Sequence, residues 1–433
     1  MGEGEVIFRT WSVCPECLKR IPAERVRKNG KVFIRKDCSE HGHSESIIWR
    51  GFYDIDEWIR GSDPLMLEEP HCIENCGLCS DHLQKTCCVL LNITSRCNLD
   101  CRFCLAGRYK NTPEPALREI SESLVKLIVK GKTLVQLSGG EPATRDDLPK
   151  IISAAKNTGA KYVQLNTNGI RLGEDITFVS ELAAAGLSFV FLQFDGTADY
   201  VYESLRGRPL LDIKRKAIDN CAEHNIGVTL VPTLVRGINI NEIGNLLRFA
   251  ISESPKVRGV HFQPVSFFGR IPGKPSDDDR ITLDELISEI EKQTEGIIKS
   301  SDLVPSCCDH PLCGFHGDFV IDDERVMPLL NRYNRMNNNR PSEDAAEKNR
   351  EFVARRWKRP ERQQQETGCC CGNIHDMEYF LRKVSTHGFT ISAMAFQDAW
   401  NLDLARLRKC SLHVYDKNRL IPFCAYYLSG WEN

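Results

Sequence analysis

Between residues 88 and 268 the chain alternates short apolar runs with amphipathic stretches, and few folds satisfy that pattern. The runs at 88–93, 134–137, 162–166, 189–194, 228–232 and 260–264 read as strands. The segments 119–129, 148–157 and 213–223 between them carry helical periodicity. Strands separated by helices cannot pair as hairpins; they pair in parallel through right-handed crossovers. Six such units predict an α/β fold, a (β/α)6 partial TIM barrel. Functional residues should then gather at the carboxyl ends of the strands.

The first of those ends carries Cys97, Cys101 and Cys104, spaced C-x3-C-x2-C. A loop this short can wrap three thiolates around one corner of an iron–sulfur cube, leaving the fourth iron without a protein ligand. A simple electron carrier closes its cluster with four cysteines. An open iron serves a cluster that must bind a small molecule. Taken alone, the triplet could still be half of a closed site.

The later strand ends supply the company this reading needs. Strand two ends in Ser138-Gly139-Gly140-Glu141-Pro142, strand three in Asn166-Thr167-Asn168-Gly169, strand four in Gln193-Phe194-Asp195-Gly196, and strand six in Gln263-Pro264. Each alone would be an ordinary turn; their order within one six-unit pattern is what argues. Together with the triplet they resemble the radical S-adenosylmethionine (SAM) superfamily. The resemblance implies a SAM-binding 4Fe-4S cluster on Cys97, Cys101 and Cys104, the catalytic centre. It implies SAM seated by Gly139, Gly140 and Glu141, with Asn166, Asn168 and Asp195 as further contacts. Phe103 would lie against the adenine, with Gln263 on the same side. In that superfamily the reduced cluster cleaves SAM to methionine and a 5′-deoxyadenosyl radical, so a low-potential donor such as ferredoxin or flavodoxin is implied.

The chain has 433 residues and a formal net charge of −2, so no broad electrostatic pull toward nucleic acid or anionic membrane is expected. No apolar run is long enough to span a bilayer, which leaves only peripheral membrane contact open. The first residues lack the basic and apolar regions of a signal peptide, and a cytoplasmic protein is expected. Twenty cysteines in such a compartment read as metal sites rather than disulfides. Three regions follow: a cysteine-rich segment 1–85 of rubredoxin or zinc-ribbon type, the barrel 86–300, and a C-terminal auxiliary iron–sulfur region 301–433. The polar stretch 331–366 reads as an insertion or lid.

Cys14 and Cys17 with Cys38 and His41 give C-x2-C and C-x2-H, a zinc-ribbon spacing. The fourth ligand could instead be a later cysteine, which would favour mononuclear iron over zinc. Cys72, Cys76 and Cys79 repeat the C-x3-C-x2-C spacing without a preceding strand, so an auxiliary cluster closed by Cys87 or Cys88 is expected. Cys76 and Cys79 could alternatively pair with the first knuckle. Cys308, Cys313, Cys370, Cys371, Cys410 and Cys424 supply enough thiols for another auxiliary 4Fe-4S cluster, catalytic or purely structural. Cys221 reads as an ordinary buried thiol, and His224, His261 and His413 as packing residues. No cobalamin-binding Asp-x-His-x-x-Gly pattern is present.

Segments outside the barrel narrow the resemblance. The knuckle at 14–17 with Cys38 and His41, the run His261-Phe262-Gln263-Pro264-Val265, Cys308-Asp309-His310-Pro311-Leu312-Cys313 and Phe396-Gln397-Asp398-Ala399-Trp400-Asn401 are its carriers. They resemble an archaeal-centred family that holds tetraether lipid synthase, first described as class D radical SAM methyltransferases acting on a pterin. The resemblance implies a rubredoxin-like site and auxiliary clusters. The leading expectation is carbon–carbon bond formation on an archaeal lipid chain. Methylation of a pterin or other small heterocycle is the alternative, and modification of a peptide or protein a further one.

Overall fold

The computed structural model describes residues 4–64, 78–106, 113–322, 325–332, 357–359 and 377–428, the last of these by backbone alone over 377–381. Cys72, Cys76, Cys370, Cys371 and most of the polar stretch 331–366 lie outside the described residues.

The N-terminal region is a four-stranded antiparallel meander: β1 (Glu5–Val13), β2 (Arg20–Lys28), β3 (Lys31–Cys38) and β4 (Gly42–Trp49). Its strands alternate, and Val26, Val32, Ile34, Ile47 and Trp49 turn inward. So small a sheet cannot bury much on its own, and it docks on the C-terminal part through polar contacts. The Arg25 guanidinium, fully buried, donates to Asp403 at 2.7 Å and pairs with Asp63 at 2.8 Å. Thr10 donates to Asp403 at 2.7 Å, and Lys36 Nζ reaches the Ala399 carbonyl at 2.6 Å. Arg25 is paired with two carboxylates, whereas Lys36 bonds only Ser12 Oγ and the Ala399 carbonyl, and desolvation draws it down to about 7.

The main sheet holds the barrel. Its parallel strands are β5 (Cys88–Thr94), β6 (Leu134–Gly139), β7 (Tyr162–Thr167), β8 (Phe189–Gln193), β9 (Gly227–Val231) and β11 (Val257–Pro264), neighbours in that order; the short β10 (Thr233–Leu234) pairs with β11. These are the six strands expected from the sequence. The C-terminal part extends them. After β12 (Val304–Pro305), β13 (Gly314–Asp322) and β14 (Arg325–Pro328), strand β15 (Gly388–Met394) pairs in parallel with β11. Strand β16 (Leu412–Asp416) pairs in parallel with β5, and β17 (Arg419–Pro422) returns beside it. β13 adds to β15 antiparallel. The sheet therefore crosses the boundary drawn at residue 300, and eight parallel strands stand side by side.

Strand alternation separates two environments. Val89, Leu91, Val135, Leu137, Val163 and Leu165 pack into the main core under the helices. Their neighbours Leu90, Gln136, Ser138 and Asn166 face a cavity inside the barrel. A packed parallel sheet is usually apolar on both faces. Here polar side chains such as Gln136, Ser138 and Asn166 interrupt a largely apolar inner face, where the sheet surrounds a site.

The helix Leu117–Leu127 buries Ile120, Leu124 and Leu127 at helical spacing, and Glu119 reaches back to the Ala116 N–H at 2.7 Å. The helix Leu148–Thr158 stops at Gly159, whose φ of +104° few other residues adopt without strain. Cys221 is buried on the helix Leu211–Glu223, with burial pushing its thiol up to about 12, as an inert packing residue should be.

Candidate active site

The cysteine loop leaves β5 and is held from two sides. The β6 end approaches so closely that a Cβ on Gly139 or Gly140 would come within 2.2 Å of the Thr94 or Arg96 carbonyl. Gly140 N–H bonds Thr94 O at 2.8 Å and Glu141 N–H bonds Arg96 O at 2.7 Å. On the other side, Cys104 and Arg270 exchange backbone hydrogen bonds at 3.2 and 3.1 Å, and Arg270 also donates to the Cys101 carbonyl at 3.1 Å. Cys97, Cys101 and Cys104 all line one cavity of about 390 Å³, together with Phe103, Gly139, Gly140, Glu141, Asn166, Asn168 and Gln263. Three thiols beside a glycine turn, facing a half-open cavity, fit a three-cysteine cluster with a small molecule on its open iron. Desolvation holds Cys97 up at about 11 and raises Cys104, so both thiols must lose a proton when iron binds.

Glu141 is a joint. Its buried carboxylate accepts from Ala143 N at 2.9 Å, Thr167 Oγ1 at 2.6 Å and Asn168 N at 2.6 Å, so it ties the β6 end to the β7 end. Burial raises its pKa while these donors act against that. Asn168 Nδ2 donates to Asn98 at 2.7 Å and so fastens β7 to the cysteine loop.

Asp195, expected to touch SAM, is fully buried and does not line the cavity. Its carboxylate is taken by a bidentate pair from Arg206 at 2.8 Å on each arm, and by Thr233 N at 3.0 Å. The group that faces the cavity is Arg206, within electrostatic reach of Cys101. A bare buried carboxylate would be costly there, so the arginine covers and neutralises it. The sequence signal was an arginine eleven positions after Asp195 on the following helix, at a distance no local pattern exposes. Lys214 was also missed. Its Nζ is buried and donates to the strand-end carbonyls of Asn168 at 2.6 Å and Gln193 at 2.7 Å, and desolvation brings it down to about 7. His261, read as packing, lines the cavity with Nδ1 on Ser392 at 2.9 Å; desolvation takes it to about 4 and keeps it neutral.

Two further thiol groups are present among the described residues. Cys87, Cys88 and Cys308 line the same cavity, and the Cys87 and Cys308 thiols hydrogen-bond each other. Cys313, Cys410 and Cys424 are buried within electrostatic reach of one another. Cys79 packs beside Cys88 and Cys410 against one apolar cluster. In the ribbon, the ligand atoms of Cys14, Cys17, Cys38 and His41 all lie within 4.8 Å of one another. His41 thus fills the fourth position, and three thiolates with one imidazole are a tetrahedral zinc donor set. The backbone N–H of Glu40 and the His41 ring draw the Cys38 thiol down to about 6.

A three-cysteine loop, a glycine turn and a half-open cavity at the strand ends of a parallel barrel define a radical SAM enzyme, and the radical SAM superfamily model matches residues 91–250. The model "HMPTM N-terminal zinc ribbon domain" matches residues 6–50. The chain belongs to the same radical SAM family as the 7,8-dihydro-6-hydroxymethylpterin dimethyltransferase of Methanocaldococcus jannaschii, to which it is 32% identical over 474 aligned residues, covering 96% of this chain and 93% of that one. The mitochondrial GTP 3′,8-cyclase of Arabidopsis thaliana is 29% identical over 181 residues, 40% of this chain and 45% of that one. Among solved structures, Streptococcus suis SuiB bound to precursor peptide SuiA superposes with a TM-score of 0.40 at 16% identity, over 50% of this chain and 46% of that one.

Proposed function

We propose that this chain is a radical SAM methyltransferase acting on a reduced pterin, drawing electrons from a ferredoxin or flavodoxin. The observation that carries the substrate is the relative from M. jannaschii, which matches ribbon, barrel and C-terminal part together. The expected lipid chain finds no support in the comparisons, and the small-heterocycle alternative takes its place. Gln136, Asn166 and His261 set hydrogen-bonding groups into a largely apolar cavity, an arrangement with which the edge of a heterocycle can pair. No helix among the described residues is long and apolar enough to cross a membrane.

Cys97, Cys101 and Cys104 would hold the SAM cluster, and when bound that cluster supplies the electron that opens SAM to a carbon-centred radical. The chain's own work is positional. Glu141, Asn168 and Lys214 lock three strand ends to one another. Arg206, paired with Asp195, holds its guanidinium against the cavity wall near Cys101. The enclosing barrel keeps water from a reactive carbon centre. Cys87, Cys88 and Cys308 are the described thiols best placed for an auxiliary cluster facing substrate, with Cys313, Cys410 and Cys424 behind them. Zinc in the ribbon is structural.

The test is anaerobic. Reconstituted protein is reduced and given SAM, and 5′-deoxyadenosine is quantified alone, with 6-hydroxymethyl-7,8-dihydropterin, and with archaeal lipid extract. Pterin-stimulated cleavage with a methylated pterin in the mass spectrum is expected. Stimulation by lipid alone would overturn the reading.

A further inference from the structure

One wall of the cavity is built by strands that the six-unit barrel does not contain. His261 on β11 pairs in register with Ser392 on β15, and Ser392 pairs in register with His316 on β13. Residues paired across neighbouring strands project from the same face of the sheet. All three line the cavity, so they form a continuous row across three strands. Each ring is held by a partner on its own side. His261 Nδ1 meets Ser392 Oγ at 2.9 Å, and His316 Nδ1 meets the buried Asp318 carboxylate at 3.0 Å. Asp318 is itself steadied by Thr390 Oγ1 at 3.2 Å. A carboxylate on one imidazole nitrogen fixes the tautomer and orientation of the ring.

Aromatic surface adjoins the row. Phe191 lies 5.5 Å from the His261 ring, centroid to centroid and tilted by 34°, and Trp357 packs against Phe191 at 4.7 Å. Both line the cavity. Packing alone does not call for two oriented imidazoles and a hydroxyl at one level of a barrel interior, where apolar residues would serve without a desolvation cost. Fixed hydrogen-bonding groups beside flat aromatic faces match a planar ring with N–H and C=O groups on its edge.

We propose that His261, Ser392 and His316, the last backed by Asp318, are the specificity wall of this enzyme, hydrogen-bonding the polar edge of a planar nitrogen heterocycle that lies against Phe191 and Trp357. This deepens the reading of the cavity as a substrate site and does not require that the heterocycle be a pterin.

The experiment is equilibrium binding to the reconstituted, SAM-loaded holoenzyme, with 6-hydroxymethyl-7,8-dihydropterin and GTP as probes. Wild type is compared with His316→Phe, His261→Phe, Ser392→Ala and the milder Asp318→Asn, and SAM affinity is measured on the same samples as the check on folding. The wall predicts about a tenfold or greater loss of heterocycle affinity in each histidine variant, as expected when a buried polar edge loses its partner. It predicts a smaller loss in Asp318→Asn, and SAM affinity within about twofold of wild type. If GTP binds and the dihydropterin does not, with the same losses in the variants, the wall stands and the pterin reading falls. Heterocycle binding equal to wild type in both histidine variants would overturn the wall. So would binding of neither probe by wild type, or a fall in SAM affinity that parallels the heterocycle loss.

Discussion

Two candidate metal sites are built differently: the ribbon brings two knuckles together from residues 14–41, and the barrel uses one loop, 97–104. In the ribbon, four ligand atoms already lie within 4.8 Å of one another, and backbone N–H groups draw Cys38 down to about 6. In the barrel, Cys97 is held up at about 11 by desolvation, and the loop is clamped through its backbone by the β6 turn and Arg270. The first arrangement favours a thiolate ready for a closed, structural ion. In the second, burial raises Cys97 and Cys104 beside a cavity that must also admit a ligand. Burial raises Cys14 in the ribbon too, so what separates the sites is geometry: one gathers four ligand atoms on itself, and the other sets three thiols against a cavity.

The largest test of that contrast is Cys101→Ala. It should abolish 5′-deoxyadenosine formation while metal analysis still finds the ribbon ion; loss of both metals together would mean the two sites are one cooperative unit. Cys38→Ser is the mirror experiment. It should release the ribbon metal and lower Tm by several degrees, since metal binding is folding energy for a segment with so small a core. Iron in the barrel should remain, and its loss would again join the sites.

The seam between the regions offers a third cut. Arg25→Met leaves Asp403 buried without its cation and should cost about 3–5 kcal/mol in denaturant unfolding. Adding Asp403→Leu should recover much of that, and failure to do so would show that the loss came from packing rather than charge.

The smallest effect concerns pH. His261 is held near 4 in the fold against about 6.5 when unfolded. The unfolded chain therefore binds more protons between those values, and stability falls as pH drops from about 6.5 toward 4, by up to about 3 kcal/mol from this residue. His261→Phe should make that part of the stability–pH curve shallower, leaving the shares of His310 and His413; an unchanged curve would mean the His261 imidazole is hydrated and not held neutral.

The features legible in advance were short in sequence. The six strands, the C-x3-C-x2-C loop, the Gly139-Gly140-Glu141 turn and the ribbon knuckles at Cys14, Cys17 and Cys38 each sit within one loop or one strand end. Even His41 was a named candidate, because a ligand three residues from Cys38 has little freedom to lie elsewhere. Polar residues at alternate positions of the barrel strands, such as Gln136 and Asn166, also announced an interior that is not a packed core, although only the strand ends were read that way.

What the sequence by itself determined was the class of chemistry, because three thiolates on a short loop and a turn without side chains are local demands of a cluster and its ligand. What only the tertiary structure decided was who faces the cavity. Asp195 gives way to Arg206, Lys214 binds two strand ends from a helix, and His261 meets Ser392, which pairs in turn with His316, on strands more than fifty residues distant. Such partners are chosen by sheet registers that close long loops, and the energy that fixes them belongs to the whole barrel rather than to any segment of the chain.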